Sequence, residues 1–307
     1  MPMISAKKAI PIVARRILPR PIRNALRPYW QRAIGQPEEL VRLREVTARF
    51  NLPATVRGYD HWRLHSDWCQ LAPVGAPAPD HVNPLLQYFN EHKEGHGVWK
   101  FIHYFEAYER YFSRFRGKET HVLEIGVYSG GSLEMWQNYL GPQCKVYGVD
   151  IEPRCKAYEG GSVRIFIGDQ ADRNFWKHVK QEVPVLDIVI DDGGHEPEQQ
   201  IVTLEELLPH LRPAGIYLCE DVTTSFNQFA AYVCGFAQNI NSLDWERDFQ
   251  PNYDQNERRQ VCKTTPFQSA VASVHLYPFL TVIERTLKPV SELVAPKHGT
   301  EWEPFIR

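Results

Sequence analysis

From about residue 97 the chain alternates short apolar runs with segments of helical periodicity, and this alternation restricts the fold more than any other feature. The runs are Val122–Gly126, Val146–Asp150, Val163–Gly168, Val185–Asp191 and Ile216–Glu220. Between the last two, Leu204, Leu207, Leu208 and Leu211 share one helical face. Apolar runs of this length separated by amphipathic helices build βαβ units, hence a mainly parallel sheet covered on both sides. Ser273–Tyr277 and Leu280–Glu284 are only two residues apart, which suits an antiparallel pair and not another crossover. The expected fold is therefore α/β: a doubly wound sheet, mostly parallel, with an antiparallel C-terminal strand pair, preceded by a mainly helical N-terminal region.

Three stretches are expected: a basic arm (1–35), a helical region with a linker (36–96) and the α/β domain (97–307). The arm carries Lys7, Lys8, Arg15, Arg16, Arg20, Arg23, Arg27 and Arg32 with no acidic residue. It reads either as a surface for anionic lipid or an acidic partner, or as a solvated tail or a protomer–protomer contact. Residues 37–50 read as a helix, and the proline-rich 72–79 as a stiff linker. Hydrophobic residues at 43% against 23% charged rule out wholesale disorder, and a net charge of -2 gives no global attraction to nucleic acid. No apolar run approaches the roughly 18 residues of a membrane span. The six cysteines form no CxxC pair, so reduced thiols and a cytoplasmic location are expected, with the arm able to reach the inner face of the membrane.

The first strand runs into Glu124-Ile-Gly-Val-Tyr-Ser-Gly-Gly-Ser132. Gly126, Gly130 and Gly131 allow backbone to approach a ligand where a side chain would block it. The dinucleotide fingerprint wants a second glycine where Tyr128 stands, and Glu124 would repel a pyrophosphate; an acid there suits a cationic ligand part such as a sulfonium. Asp150 ends the second strand, at the position from which a carboxylate accepts both ribose hydroxyls. Gly168-Asp169-Gln170 ends the third, where a side chain can reach an adenine amino group, and Asp191 ends the fourth. Polar residues on four successive strand ends point to a nucleoside crevice.

A second group lies beside it. Asp191-Asp192-Gly193-Gly194-His195 ends strand four and Cys219-Glu220-Asp221 ends strand five. Asp192, Glu220 and Asp221 brought together repel one another unless a cation neutralises them, and an all-oxygen set selects Mg²⁺ first. The two glycines allow His195 to turn back over the ion, where imidazole can take a proton from a polarised hydroxyl. Helix capping by His195 and plain solvation of the acids is the bland alternative.

At these residues the stretch from about Trp99 to Val222, with Ser273–Trp302, resembles class I S-adenosylmethionine-dependent O-methyltransferases. The likeness is to metal-dependent macrolide sugar methyltransferases of the mycinamicin and tylosin type and their cephalosporin-hydroxylase-like relatives. It rests on His103-Tyr104, Leu123–Leu133, Gly168-Asp-Gln170, Asp191-Asp-Gly-Gly-His195, Glu220-Asp221, Ser273–Tyr277 and Gly299-Thr-Glu-Trp302. The resemblance implies a Rossmann-like fold and cofactor contacts from Tyr104, Glu124, Gly126, Ser129, Gly130, Asp150, Asp169, Gln170 and Asp191. Within that set Glu124 and Asp191 would meet the methionine end, Asp150 the ribose, and Asp169 with Gln170 the adenine. It further implies Mg²⁺ on Asp192, Glu220 and Asp221, His195 as base, a sugar-bearing acceptor and a homo-oligomer. Asp244–Arg259 reads as a loop over the acceptor or an ordinary solvated loop. A nicotinamide-dependent oxidoreductase and a non-catalytic nucleoside-binding subunit are the competing readings; nucleic-acid methylation lacks a basic stripe at the catalytic edge.

Overall fold

The parallel strands are β1 (Thr120–Ile125), β2 (Cys144–Asp150), β3 (Val163–Ile167), β4 (Leu186–Asp191) and β5 (Leu211–Cys219). The structure, a computed structural model, describes residues 52–64, 82–223, 227–241, 259–296 and 298–300. The basic arm, the 37–50 helix, the proline-rich linker and almost all of the 244–259 loop lie outside the described residues. The chain divides into two units, Met1–Asp80 and His81–Arg307. Of the first, the described part is helix α1, Leu52–Leu64.

The second unit opens with α2 (Pro84–Glu91), whose Leu85 is fully buried, followed by α3 (Tyr104–Phe112). Asn83 caps α2 by accepting from the Leu86 N–H and donates to the Phe105 carbonyl, which binds the helix pair together. The remaining helices are α4 (Gly131–Leu140), α5 (Arg173–Glu182), α6 (Pro197–Leu207), α7 (Gln228–Gln238) and the short α8 (Pro266–Ala270). Two further strands, β7 (Val271–Tyr277) and β8 (Leu280–Arg285), complete a seven-stranded sheet in the order β3-β2-β1-β4-β5-β8-β7. β1 to β5 are parallel, while β8 is antiparallel to both β5 and β7. This is a Rossmann-like doubly wound architecture with an antiparallel finish. A separate ribbon pairs β6 (Arg259–Lys263) with β9 (Glu292–Pro296); no alternation in the sequence announces it, and every residue of β9 is exposed.

Period-two alternation sorts the strand side chains into two cores. Val122, Ile188, Ile190, Ile216 and Leu218 pack with Tyr108, Phe112 and Trp136 from α3 and α4. Leu123, Ile125, Val189, Tyr217 and Cys219 pack on the other side with Trp176, Leu204 and Phe229. The parity carries on past the strand ends. It sends Glu124, Asp192 and Glu220 toward α3 and α4, and Asp191 toward the opposite face. The order reverses between β1 and β4, which leaves a crevice at their carboxyl ends, the place where such sheets bind ligands.

Candidate active site

A cleft of about 620 Å³ opens at that crevice, within the range that holds a nucleoside-sized ligand. Its floor is the glycine turn. Gly126, at φ 92°, packs so closely on the end of β4 that a Cβ would lie 1.9 Å from the Asp192 carbonyl oxygen. Tyr128 adopts a left-handed φ of 48°, and its N–H donates to Asp150 Oδ2 at 2.9 Å. The other Asp150 oxygen accepts from the Glu152 N–H at 2.9 Å, so the carboxylate is aimed while each oxygen keeps a lone pair for a hydroxyl. Ser129, Asp150 and the exposed Asp169 line the cleft. Gly130 closes the turn at φ 77° and leads into α4.

Past β4, Gly193 has no room for a side chain, since a Cβ would meet Gln170 Oε1 at 2.0 Å. The turn then brings His195 back at φ 59°, with Nε2 3.7 Å from Asp221 Oδ2. Asp221 is itself at φ 55°. Two non-glycine residues held at left-handed φ at one site mark a geometry that the surroundings enforce. Asp192, His195 and Asp221 each offer one ligand atom within 4.8 Å of the others. Two half-exposed carboxylates with access to water suit Mg²⁺, which keeps several waters and takes one or two carboxylates. Imidazole is a poorer partner for so hard an ion, which leaves His195 available as a base.

Four expected placements differ. Glu220 does not stand beside Asp221 at the open edge; it is buried, and both of its oxygens accept from Lys100 Nζ at 3.2 Å, with Tyr108 OH donating at 2.7 Å. Glu124 is also buried, accepting from Lys100 at 3.3 Å and from Ser132 Oγ at 2.8 Å, so it lies behind the cleft wall. Asp191, on the far face, accepts from Gln170 Nε2 at 3.0 Å and Tyr217 OH at 3.1 Å. Gln170 lines the cleft, but its NH₂ is committed to Asp191 and Thr203, and of its carbonyl oxygen, which accepts from the Gly194 N–H, one lone pair is left for an adenine. Tyr104 lines the cleft, and its hydroxyl donates to Asp221 Oδ1 at 2.8 Å. Tyr104 and Tyr108 are one helical turn apart, so α3 places two phenols on the two consecutive acids after β5.

Sequence reasoning missed Lys100. Its ammonium sits 2.5 Å from Asp192 Oδ2 and contacts Glu124 and Glu220, with only 2% of the side chain exposed. Burial alone lowers a lysine, but Asp192, Glu220 and Glu124 overcome it and hold Lys100 charged well above the ordinary value. Burial and then Asp192 push Glu220 up, against the pull of Lys100. Burial also pushes Asp191 up to about 6, against neutral hydrogen bonds that pull it down. Even with Glu220 pushed toward its neutral form, Glu124, Asp192 and Asp221 against the Lys100 ammonium leave a surplus of negative charge, which a divalent ion at the open edge would balance. Trp99, next to Lys100, presents an indole that is 88% exposed at the cleft mouth.

Residues 123–222, which carry the glycine turn after β1, the acid ending β2 and the carboxylates and histidine beyond β4 and β5, match the family described as Methyltransferase domain. The chain is 34% identical over 164 residues to mycinamicin VI 2''-O-methyltransferase of Micromonospora griseorubida, covering 51% of this chain and 39% of that one. It is 36% identical over 141 residues to 8-demethyl-8-alpha-L-rhamnosyl tetracenomycin-C 2'-O-methyltransferase of Streptomyces olivaceus, covering 44% and 37%. The matched segments thus span less than two fifths of these relatives. Among solved structures, MycE methyltransferase from the mycinamycin pathway, in complex with Mg and SAH, superposes with a TM-score of 0.51 at 25% identity, over 66% of this chain and 53% of that one.

Proposed function

We propose that the protein transfers a methyl group from S-adenosylmethionine to a hydroxyl of a sugar, with the help of Mg²⁺. The observation that carries this reading is the convergence of Asp192, His195 and Asp221 at the mouth of the cleft floored by the glycine turn. The names of the matched relatives, O-methyltransferases acting on sugar-bearing natural products, support it.

Asp150 would accept the ribose hydroxyls, and Asp169 would receive the adenine amino group. Asp192 and Asp221 would hold Mg²⁺, which when bound supplies a Lewis acid that polarises the acceptor hydroxyl. His195 would take the proton at a ring nitrogen, and Asp221, 3.7 Å away, would stabilise the resulting imidazolium. Tyr104 fixes Asp221 through its hydroxyl, which keeps the carboxylate from turning away as charge shifts. Trp99 offers an aromatic face on which the C–H face of a sugar can rest. The acceptor is then a glycoside, glycolipid or glycan, and the basic arm would suit one at an anionic membrane surface.

Calorimetry should show S-adenosylhomocysteine binding in preference to NAD. Turnover with a glycoside acceptor should stop on chelation and return with Mg²⁺. His195→Ala should retain cofactor binding while kcat falls about 10²–10⁴-fold. Preference for NAD, or full activity in His195→Ala, overturns the reading.

A further inference from the structure

Four apolar side chains stand in water around the mouth of the cleft. Trp99, Phe101, Ile102 and Phe279 are 88%, 46%, 56% and 43% exposed. Phe101 and Phe279 come from distant parts of the chain, the approach to α3 and the β7–β8 turn, yet their ring centroids lie 5.8 Å apart. Single exposed apolar residues need no explanation, but a cluster at the rim of a site does. The turn that carries Phe279 is also held against its own preference. Phe279 is at φ 59°, a left-handed conformation that costs energy for a bulky residue. Its carbonyl accepts from the Val222 N–H at 3.0 Å and from Tyr104 OH at 3.2 Å, and the Pro278 carbonyl accepts from His103 Nε2 at 2.8 Å. The exposed rings thus stand on a rigid base.

The extent of the patch indicates what covers it. Trp99 and Phe101 line the cleft, whereas Ile102 and Phe279 lie outside its lining and carry the apolar surface past the mouth. An apolar group attached to a sugar in the cleft covers the first pair and leaves the second in water. A second protein copy seated across all four would close the acceptor's way in. A bilayer covers all four and supplies the acceptor from the same side. An indole and two phenyl rings beside an isoleucine suit the boundary between headgroups and acyl chains. The sequence adds a charge match: residues 1–35 carry eight basic residues and no acidic one, and membrane binding scales with buried apolar area plus attraction to anionic lipid.

We propose that the rim formed by Trp99, Phe101, Ile102 and Phe279 docks the protein on an anionic lipid bilayer, with the cleft mouth facing the headgroups. The acceptor is then a sugar carried by a membrane lipid. Trp99 belongs both to the cleft and to the rim, the point at which headgroup sugar and bilayer meet. The inference rests on the functional reading above and narrows its acceptor to a glycolipid.

The test uses the full chain and vesicles of phosphatidylcholine with phosphatidylglycerol. Wild-type protein should sediment with them, and Ile102→Ser combined with Phe279→Asn should weaken binding about tenfold or more, because two apolar side chains no longer leave water. Asparagine tolerates the left-handed φ of position 279, so the turn should keep its shape and S-adenosylhomocysteine affinity should be unchanged. Brominated lipid should quench the tryptophan fluorescence of wild-type protein, and Trp99→Phe should lose most of that quenching. This second measurement carries the test if the double variant does not fold. Wild-type vesicle binding in the double variant, or full quenching in Trp99→Phe, overturns the proposal. A wild-type oligomer that falls to one chain in the double variant assigns the rim to a second copy and overturns it as well. A raised KM for a water-soluble glycoside in that variant, without vesicle binding by either protein, assigns the rim to an apolar aglycone with the same consequence. S-adenosylhomocysteine binding is read separately by calorimetry. Wild-type protein that binds it but no vesicles overturns the docking while the functional reading stands, and failure to bind it removes the glycolipid acceptor together with that reading.

Discussion

Asp191 and Asp192 are neighbours in sequence, chemically identical, and do opposite work. Asp191 is 1% exposed and held by the neutral donors Gln170 and Tyr217 within the core that faces α5 and α6. Asp192 lies on the face toward α3 and α4, half-exposed, against the Lys100 ammonium. The peptide pleat alone separates them. A strand reverses its side chains at each residue, so the acid that completes the fold and the acid that meets solvent are assigned by parity. Position at the end of a strand therefore does not make a carboxylate functional; its face does.

Substitution of each to asparagine is the sharpest test of that difference. Asp192→Asn keeps the shape but removes the charge shared by Lys100 and the outer edge, and kcat should fall by about 10²–10³-fold while cofactor affinity is kept. Asp191→Asn keeps activity but faces the Gln170 and Tyr217 donors with a competing NH₂ group, at a cost of about 1–3 kcal/mol read by urea unfolding. If Asp191→Asn inactivates at unchanged stability, the parity argument fails.

Much of this was legible. Each of the five parallel strands and the antiparallel finish follow from apolar runs and their spacing, because burial on both faces demands such runs. The glycine turn was legible because Gly126, Gly130 and Gly131 mark a close approach of backbone, and at each of them a Cβ would collide with a neighbour. The need for a cation among the strand-end acids followed from charge alone. Its identity did not: Lys100 meets partners 24, 92 and 120 residues away, and no local pattern encodes such contacts. Strand parity is present in the sequence and separates Asp191 from Asp192, whereas strand-end position alone groups them. The β6–β9 ribbon escaped because β9 is exposed at every residue and so carries no buried face to impose a pattern.

A smaller effect sharpens the comparison on the outer side. Tyr104→Phe removes the hydroxyl that donates to Asp221 Oδ1 and accepts from the Asp221 N–H. The residue stays buried and packed, so the fold should hold, but Asp221 loses its orienting partner. Mn²⁺ affinity should drop about tenfold, the low end of what a supporting hydrogen bond to a ligand contributes. Unchanged affinity would mean that Asp221 is held by its own strained backbone and not by α3.

The smallest expected change separates support from contact on the inner side. Gln170 stands at the third strand end, where an adenine-reading side chain is expected, yet its amide is engaged with Asp191, Thr203 and Gly194. A direct hydrogen bond to the base would be worth about 1 kcal/mol, roughly fivefold in affinity. Gln170→Ala should therefore leave the S-adenosylhomocysteine dissociation constant within that factor. The loss should appear in stability, because buried Asp191 loses one of its donors, keeping Tyr217, and the Gly194 N–H loses its acceptor. A weakening of cofactor binding well beyond fivefold, with stability intact, would place Gln170 at the ligand and return the third strand end to the role its sequence position suggests.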